Sequence, residues 1–153
     1  MISIGDIDIH TFTIPHDAVD PIGFCFRTQG LRFAMATDLG YIPENVKFNL
    51  CRSDLLLLES NHDLEMLKVG PYPWQVKQRV MGRRGHLSND VACAYIAEEM
   101  DASTQTLILA HISENNNHPE LVRLAAAQAL ERRAAGTRLV IAEPGKQTEV
   151  FLL

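Results

Sequence analysis

Two short runs constrain this chain most: residues 54–59 (DLLLLE) and 106–110 (TLILA). Each is an unbroken apolar stretch with polar residues at its borders, which marks a strand buried on both faces of a sheet. Around them the sequence reads largely as helix. Ser88 is a good N-cap for a helix over residues 89–100, with Val91, Ala94, Tyr95 and Ala97 as its apolar stripe. Asn117-His118-Pro119-Glu120 opens a longer helix that runs to about Ala135, where Gly136 stops it. Shorter helices are expected over residues 43–51, 64–69 and 73–81, the first with a proline in its opening turn.

The first third reads differently. Ile7, Ile9, Phe12 and Ile14 suggest a strand ending at Pro15, and Phe24-Cys25-Phe26 and residues 31–36 flank a Gln29-Gly30 turn as a β-hairpin. Residues 139–141 and 149–153 are expected to close the chain as short strands. Strands come first and then alternate with helices, so the class is α/β (α+β): a mixed sheet with flanking helices. A length of 153 residues, with no repeat or linker, fits one domain spanning 1–153.

Charge and cysteine usage narrow the function. Fourteen Lys+Arg against nineteen Asp+Glu leave a net charge of −5, the wrong balance for a surface that coats nucleic acid through excess cations. It does not exclude an enzyme that holds a phosphodiester at a metal. Cys25, Cys51 and Cys93 are an odd, widely spaced set, which favours a reducing compartment. No apolar run is long enough to span a bilayer, and MISIGDIDIH lacks the features of a signal peptide. A cytoplasmic location with no membrane partner is expected.

Polar residues recur where strands end: His16-Asp17 after Pro15, Asp38 after Thr37, Glu59 to Asp63, and His111 after Ala110. In sheets with helical crossovers, ligands bind beyond the C-terminal ends of strands. Imidazole and carboxylate together suit zinc, manganese or iron.

The ordered segments HDAVDPIGF, ATDLG, LLLLESNHD, RRGHLSND and LILAHISENNNHPEL carry a resemblance. Together they resemble the C-terminal half of the metallo-β-lactamase fold, an αββα sandwich, and most of all its ribonuclease Z-like phosphodiesterase and nuclease branch. The resemblance runs from about Ile7 to Leu153. It implies metal-dependent hydrolysis of a phosphodiester, in nucleic acid or a small cyclic phosphate, by a water activated between two zinc or manganese ions. By similarity His16 and His111 are metal ligands and Asp38 bridges the ions. His86 contacts phosphate and protonates the leaving oxygen, and Glu59, His62 and Asp63 support the site.

One departure is large: the family's first-half signature, H-x-H-x-D-H, occurs nowhere in these residues. On the family's assignments one ion keeps His16 and Asp38, the other His111 and the same Asp38. That is short of the three protein ligands usual for catalytic zinc. The expectation is weak or partial metal occupancy and an incomplete catalytic unit, inactive alone. The alternative is a non-catalytic binding or self-association module, for the absent half leaves a face uncovered. Either a homodimer or a missing N-terminal half would fill it.

Single residues keep two readings. Asp38 suits a turn after a strand, and His86 suits a loop exposed to solvent. Asn61 or Asp63 could cap the following helix rather than orient His62. Arg83 and Arg84 match phosphate oxygens in geometry, yet a solvated basic turn is the more common use of such a pair.

Overall fold

A computed structural model describes residues 1–133 and 136–151. Its described residues form one sheet of seven strands whose spatial order follows the chain: β1 (Ile2–Ile4), β2 (Ile7–Thr13), β3 (Ile22–Thr28), β4 (Leu31–Ala36), β5 (Leu55–Glu59), β6 (Thr106–Ala110) and β7 (Arg138–Ile141). The first four pair antiparallel and the last four, from β4 onward, pair parallel. Local chemistry sets this division. Gln29 and Gly30 both have positive φ, 48° and 85°, so a two-residue turn reverses the chain between β3 and β4.

The parallel strands need longer returns. Helix α1 (Glu44–Leu50) lies between β4 and β5. Helices α2 (Leu64–Val69), α3 (Trp74–Val80) and α4 (Asn89–Glu98) lie between β5 and β6, and α5 (Pro119–Glu131) between β6 and β7.

Two rows of side chains cross one sheet face. Ala34, Leu56, Leu107 and Leu139 form the first, and Ala36, Leu58, Leu109 and Ile141 the second. Val46 and Leu50 of α1, Tyr95 and Ile96 of α4, and Val122 and Ala126 of α5 pack with these rows in one hydrophobic cluster. Leu56, Leu58, Leu107 and Leu109 have no exposed surface, each contributing roughly 1.5–3 kcal/mol of apolar burial. The other face is different over β1–β4. Ile2, Ile4, Ile7 and Ile22 are exposed there, and Phe26 stacks between Phe24 and Phe33 at 5.9 and 5.4 Å while all three stay half-buried. Toward the sheet centre Leu55 and Ile108 are buried.

Four local expectations change. β1 departs from the sequence expectation, because the Ile2-Ser3-Ile4 alternation ahead of a glycine turn is too short to mark a strand. Helix α5 ends at Glu131, earlier than Gly136 suggested, and Ala134 and Ala135 lie outside the described residues. The buried positions of α4 are Asn89, Ala92, Tyr95 and Ile96, whereas Val91 and Ala94 face outward. Choosing Val91 over Ala92 rotated the stripe by one residue. No strand forms over residues 149–151, and Leu152 and Leu153 lie outside the described residues.

Candidate metal centre

The C-terminal ends of β4, β5 and β6 converge on one rim, because parallel pairing aligns Ala36 with Leu58 and Glu59 with Ala110. Asp38 follows β4, Glu59 closes β5 and His111 follows β6. Two further loops reach the same rim. The β2–β3 connection brings His16 and the α3–α4 connection brings His86. Backbone hydrogen bonds knit these loops together: Gly40 N–H donates to Pro15 O at 3.1 Å, Asp17 N–H to Arg84 O at 3.0 Å, and Asn61 N–H to Leu87 O at 2.9 Å.

The imidazoles surround Asp38. His111 Nδ1 lies 3.7 Å from Asp38 Oδ1, His16 Nε2 3.8 Å and His86 Nδ1 4.0 Å. His16 Nδ1 sits 3.0 Å from Gly85 O. Donation to that carbonyl leaves Nε2, which faces Asp38, as the lone-pair nitrogen. The ring centroids of His16 and His86 are 5.0 Å apart, and those of His86 and His111 5.1 Å.

Beneath this cluster Glu59 has no exposed surface. Its Oε1 accepts from His111 Nδ1 at 2.7 Å and His86 Nδ1 at 2.8 Å, while Oε2 accepts from the Leu39 and Leu87 amides at 3.0 and 3.2 Å. Burial alone would raise this carboxyl, but the His111 and His86 donors and the Leu39 amide outweigh it and hold it at about 2. The same hydrogen bond raises His111 above its ordinary value, burial opposing. A carboxylate that fixes the Nδ1 face of an imidazole turns its Nε2 outward, the arrangement that orients histidine ligands in metal sites.

Asp38 and His111 share a further feature. Both have left-handed backbones, with φ of 62° and 56°. Asp and His tolerate this region better than most residues, but a non-glycine residue there still costs on the order of 1 kcal/mol or more. The sequence gives no sign of it.

The structure thus brings His16, Asp38, His86, His111 and Glu59 together. His16, Asp38 and His86 offer ligand atoms within 4.8 Å of one another, as do Glu59, His86 and His111. His86 thus stands beside His16 and Asp38, a neighbour that the family-based ligand count had not included. The donor set fits a transition cation: His16 Nε2 and Asp38 Oδ1, 3.8 Å apart, can both reach one ion at about 2.0–2.2 Å.

The remaining candidates lie around this group. His62 is 1% exposed and its Nδ1 has no partner among the described residues. Burial pushes it down to about 4. Of the two readings of Asp63, the structure has the cap: its carboxylate accepts the Met66 amide at 2.8 Å at the start of α2. Arg83 and Arg84 stand exposed beside His16.

Sequence reasoning missed the polar belt behind the rim. Asn89 and Asn117 exchange amide hydrogen bonds at 2.9 Å, Asn117 also donates to Ser60 O and Asn61 O at 3.0 Å, and Asn61 donates to His111 O at 2.8 Å. These residues are buried and satisfy the loop carbonyls at the ends of β5 and β6. No apolar period at residues 115–117 marks these positions in the sequence.

This mixed sheet with its flanking helices matches about half of a metallo-β-lactamase fold. The family model for the β-lactamase superfamily domain matches residues 1–112, and the chain belongs to that family. It is 36% identical to exodeoxyribonuclease YycJ of Bacillus anthracis over 134 residues, 88% of this chain and 51% of that protein. Among solved structures it resembles the metallo-β-lactamase fold protein YhfI of Bacillus subtilis, with a TM-score of 0.65 at 18% identity over 95% of this chain and 49% of that one. It also resembles Zn(2+)-bound PqqB of Methylobacterium extorquens, with a TM-score of 0.59 at 18% identity over 96% and 48%. The chain spans about half the length of the curated relatives it matches.

Proposed function

We propose that this chain carries one side of the catalytic centre of a metal-dependent phosphodiesterase, acting on nucleic acid as a nuclease, and is an incomplete unit by itself. The observation that carries this reading is convergence. The imidazoles of His16, His86 and His111 stand 3.7–4.0 Å from one oxygen of Asp38, and Glu59 bonds two of them from below. Membership of the β-lactamase superfamily and similarity to a protein named as an exodeoxyribonuclease support the choice of substrate class.

His16, Asp38 and His111 would hold the metal, zinc or manganese, in this reading, and it would supply Lewis-acid charge against phosphate oxygens. Glu59 fixes the two imidazoles above it. His86, held by the same carboxylate, delivers a proton to the departing oxygen. Without the H-x-H-x-D-H segment the protein ligands are few, so occupancy is partial and turnover by the chain alone is absent.

Zinc titration of the purified chain tests this. We expect no more than one equivalent, weakly held, released on dialysis and reduced further in His16→Ala and His111→Ala. We expect no hydrolysis of bis(p-nitrophenyl) phosphate. Zinc uptake indifferent to both substitutions would overturn the assignment of the ligands, and hydrolysis by the wild-type chain would overturn its incompleteness.

The open apolar face over β1–β4 supports a second reading, a self-association module. Large exposed apolar patches mark interaction surfaces. Sedimentation at tens of micromolar then gives a dimer, and a well-behaved monomer removes this reading.

A further inference from the structure

Next to the metal centre, and sharing His16 with it, is a cleft of about 960 Å³. Its walls come from the β2–β3 connection, from Tyr41 ahead of α1, and from Arg79, Arg83 and Arg84. This is near the upper end of the roughly 300–1,000 Å³ that ligand pockets occupy, far more room than one phosphate group needs.

Its charge opposes that of the whole molecule. The chain carries −5, yet the cleft is lined by three guanidinium groups and one carboxylate. Asp17 pairs with Arg79 at 2.8 Å. Among the described residues neither Arg83 nor Arg84 has a carboxylate partner, so two forked cations remain for an anion.

A solvated basic turn would be free to move, and this one is clamped. A Cβ on Gly40 would sit 2.4–2.5 Å from the Arg83 backbone, so the Asp38 loop packs directly on the arginine loop. The Asp17 amide holds Arg84 O, and His16 holds Gly85 O. The guanidinium of Arg83 lies over the Tyr41 ring, 4.1 Å from its centroid, which gives the cleft an aromatic and guanidinium surface on which a base can stack.

We propose that this cleft is a strand-binding subsite for single-stranded nucleic acid. Arg83 and Arg84 hold phosphates that flank the one at the metal centre, and the Tyr41–Arg83 pair receives a base. The proposal deepens the nuclease reading and rests on it for its meaning. It also separates a polynucleotide from a small cyclic phosphate, which has no flanking phosphates to place there.

The test is binding of a fluorescein-labelled oligothymidylate to the full 153-residue chain in EDTA, read by anisotropy across a salt series. We expect Arg83→Ala/Arg84→Ala to weaken binding at least tenfold and to reduce the salt slope by about 1.4, the release expected from two single-strand phosphate contacts. Tyr41→Ala should weaken it about tenfold. Arg123→Ala on α5, outside the cleft, should leave binding unchanged. Arg84→Glu, a change on an exposed side chain, guards against a double variant that fails to fold and should also abolish the complex.

No binding by the wild-type chain, or equal binding by wild type, Arg84→Glu and the double variant, overturns the subsite. If zinc titration fails while binding still requires Arg83 and Arg84, the metal reading falls and the subsite stands.

Discussion

At the N-terminal ends of the parallel strands, Asp54 and Asp101 are hydrogen-bonded through both carboxylate oxygens. Asp54 accepts from the Arg32 amide at 2.8 Å and from Gln105 at 3.3 Å. Asp101 accepts from the Ser103 amide and hydroxyl, from Cys51 Sγ and from the Arg52 amide, all within 3.1 Å. At the C-terminal ends Asp38 accepts no hydrogen bond among the described residues, although three imidazole nitrogens stand 3.7–4.0 Å away. The first pair spends its oxygens on loop closure. Asp38 keeps its oxygens clear of such donors, in a left-handed backbone, which is what the metal-ligand reading proposed above requires. On that reading the contrast separates an acid that serves folding from an acid that serves a ligand.

Glu59 stands between these cases, hydrogen-bonded through both oxygens like Asp101 yet at the site end, and it is where the largest effect is expected. Glu59→Ala leaves two imidazole N–H groups and two buried amides without their acceptor, a loss of about 3–5 kcal/mol. Urea denaturation measures it. A loss no greater than that of a surface substitution would show that Glu59 is not the support of the rim.

Protonation of His62 sharpens the same comparison. The folded state holds this imidazole at about 4 because burial disfavours its charge, whereas an unfolded histidine titrates near 6.5. Above pH 6.5 both states are neutral and nothing is lost. As pH falls from 6.5 toward 4 the unfolded chain takes up a proton that the folded chain refuses, so stability declines by about 2 kcal/mol between pH 7 and 5. Denaturation midpoints of wild type against His62→Gln isolate this contribution, and parallel pH profiles would contradict it.

At the opposite end Asp101→Ala should cost only about 1 kcal/mol, the usual value of a capping carboxylate in a turn. The Ser103 amide and hydroxyl, ahead of Cys51, hold that carboxyl well below its usual range. A loss equal to that of Glu59→Ala would erase the distinction between the two ends.

How much of this was legible depended on the range of the interaction. DLLLLE and TLILA fixed β5 and β6 to within a residue at their starts, because burial on both faces writes itself into consecutive letters. The Gln29-Gly30 turn was legible because the twist of the hairpin demands positive φ at both positions. His16, Asp38, His86 and His111 could be singled out at strand ends and loops and by resemblance, and the structure places them on one rim.

What stayed hidden depends on partners far along the chain. That Glu59 bonds two histidines 27 and 52 residues away, that Asn89 and Asn117 pair, and that Gly40 presses on Arg83 are products of topology, which no local period encodes. The choice for Asp63 between a cap and an orienting group was open for the same reason. Only the path of α2 decides it.

The smallest expected change in stability is the most telling one. Asp38→Asn keeps a side chain that tolerates the left-handed region and removes no hydrogen bond among the described residues. Unfolding should therefore shift by no more than about 0.5 kcal/mol. An amide oxygen is a poor substitute for a carboxylate on a transition cation, so the same variant should lose most of its zinc uptake, by a factor of about 100. Such a split between folding and binding is expected of a ligand-type acid, whereas Asp101→Ala should lose stability with no change in zinc uptake. If Asp38→Asn instead unfolds the chain and leaves zinc uptake intact, Asp38 belongs with Asp101, and the two ends of the sheet differ only in composition.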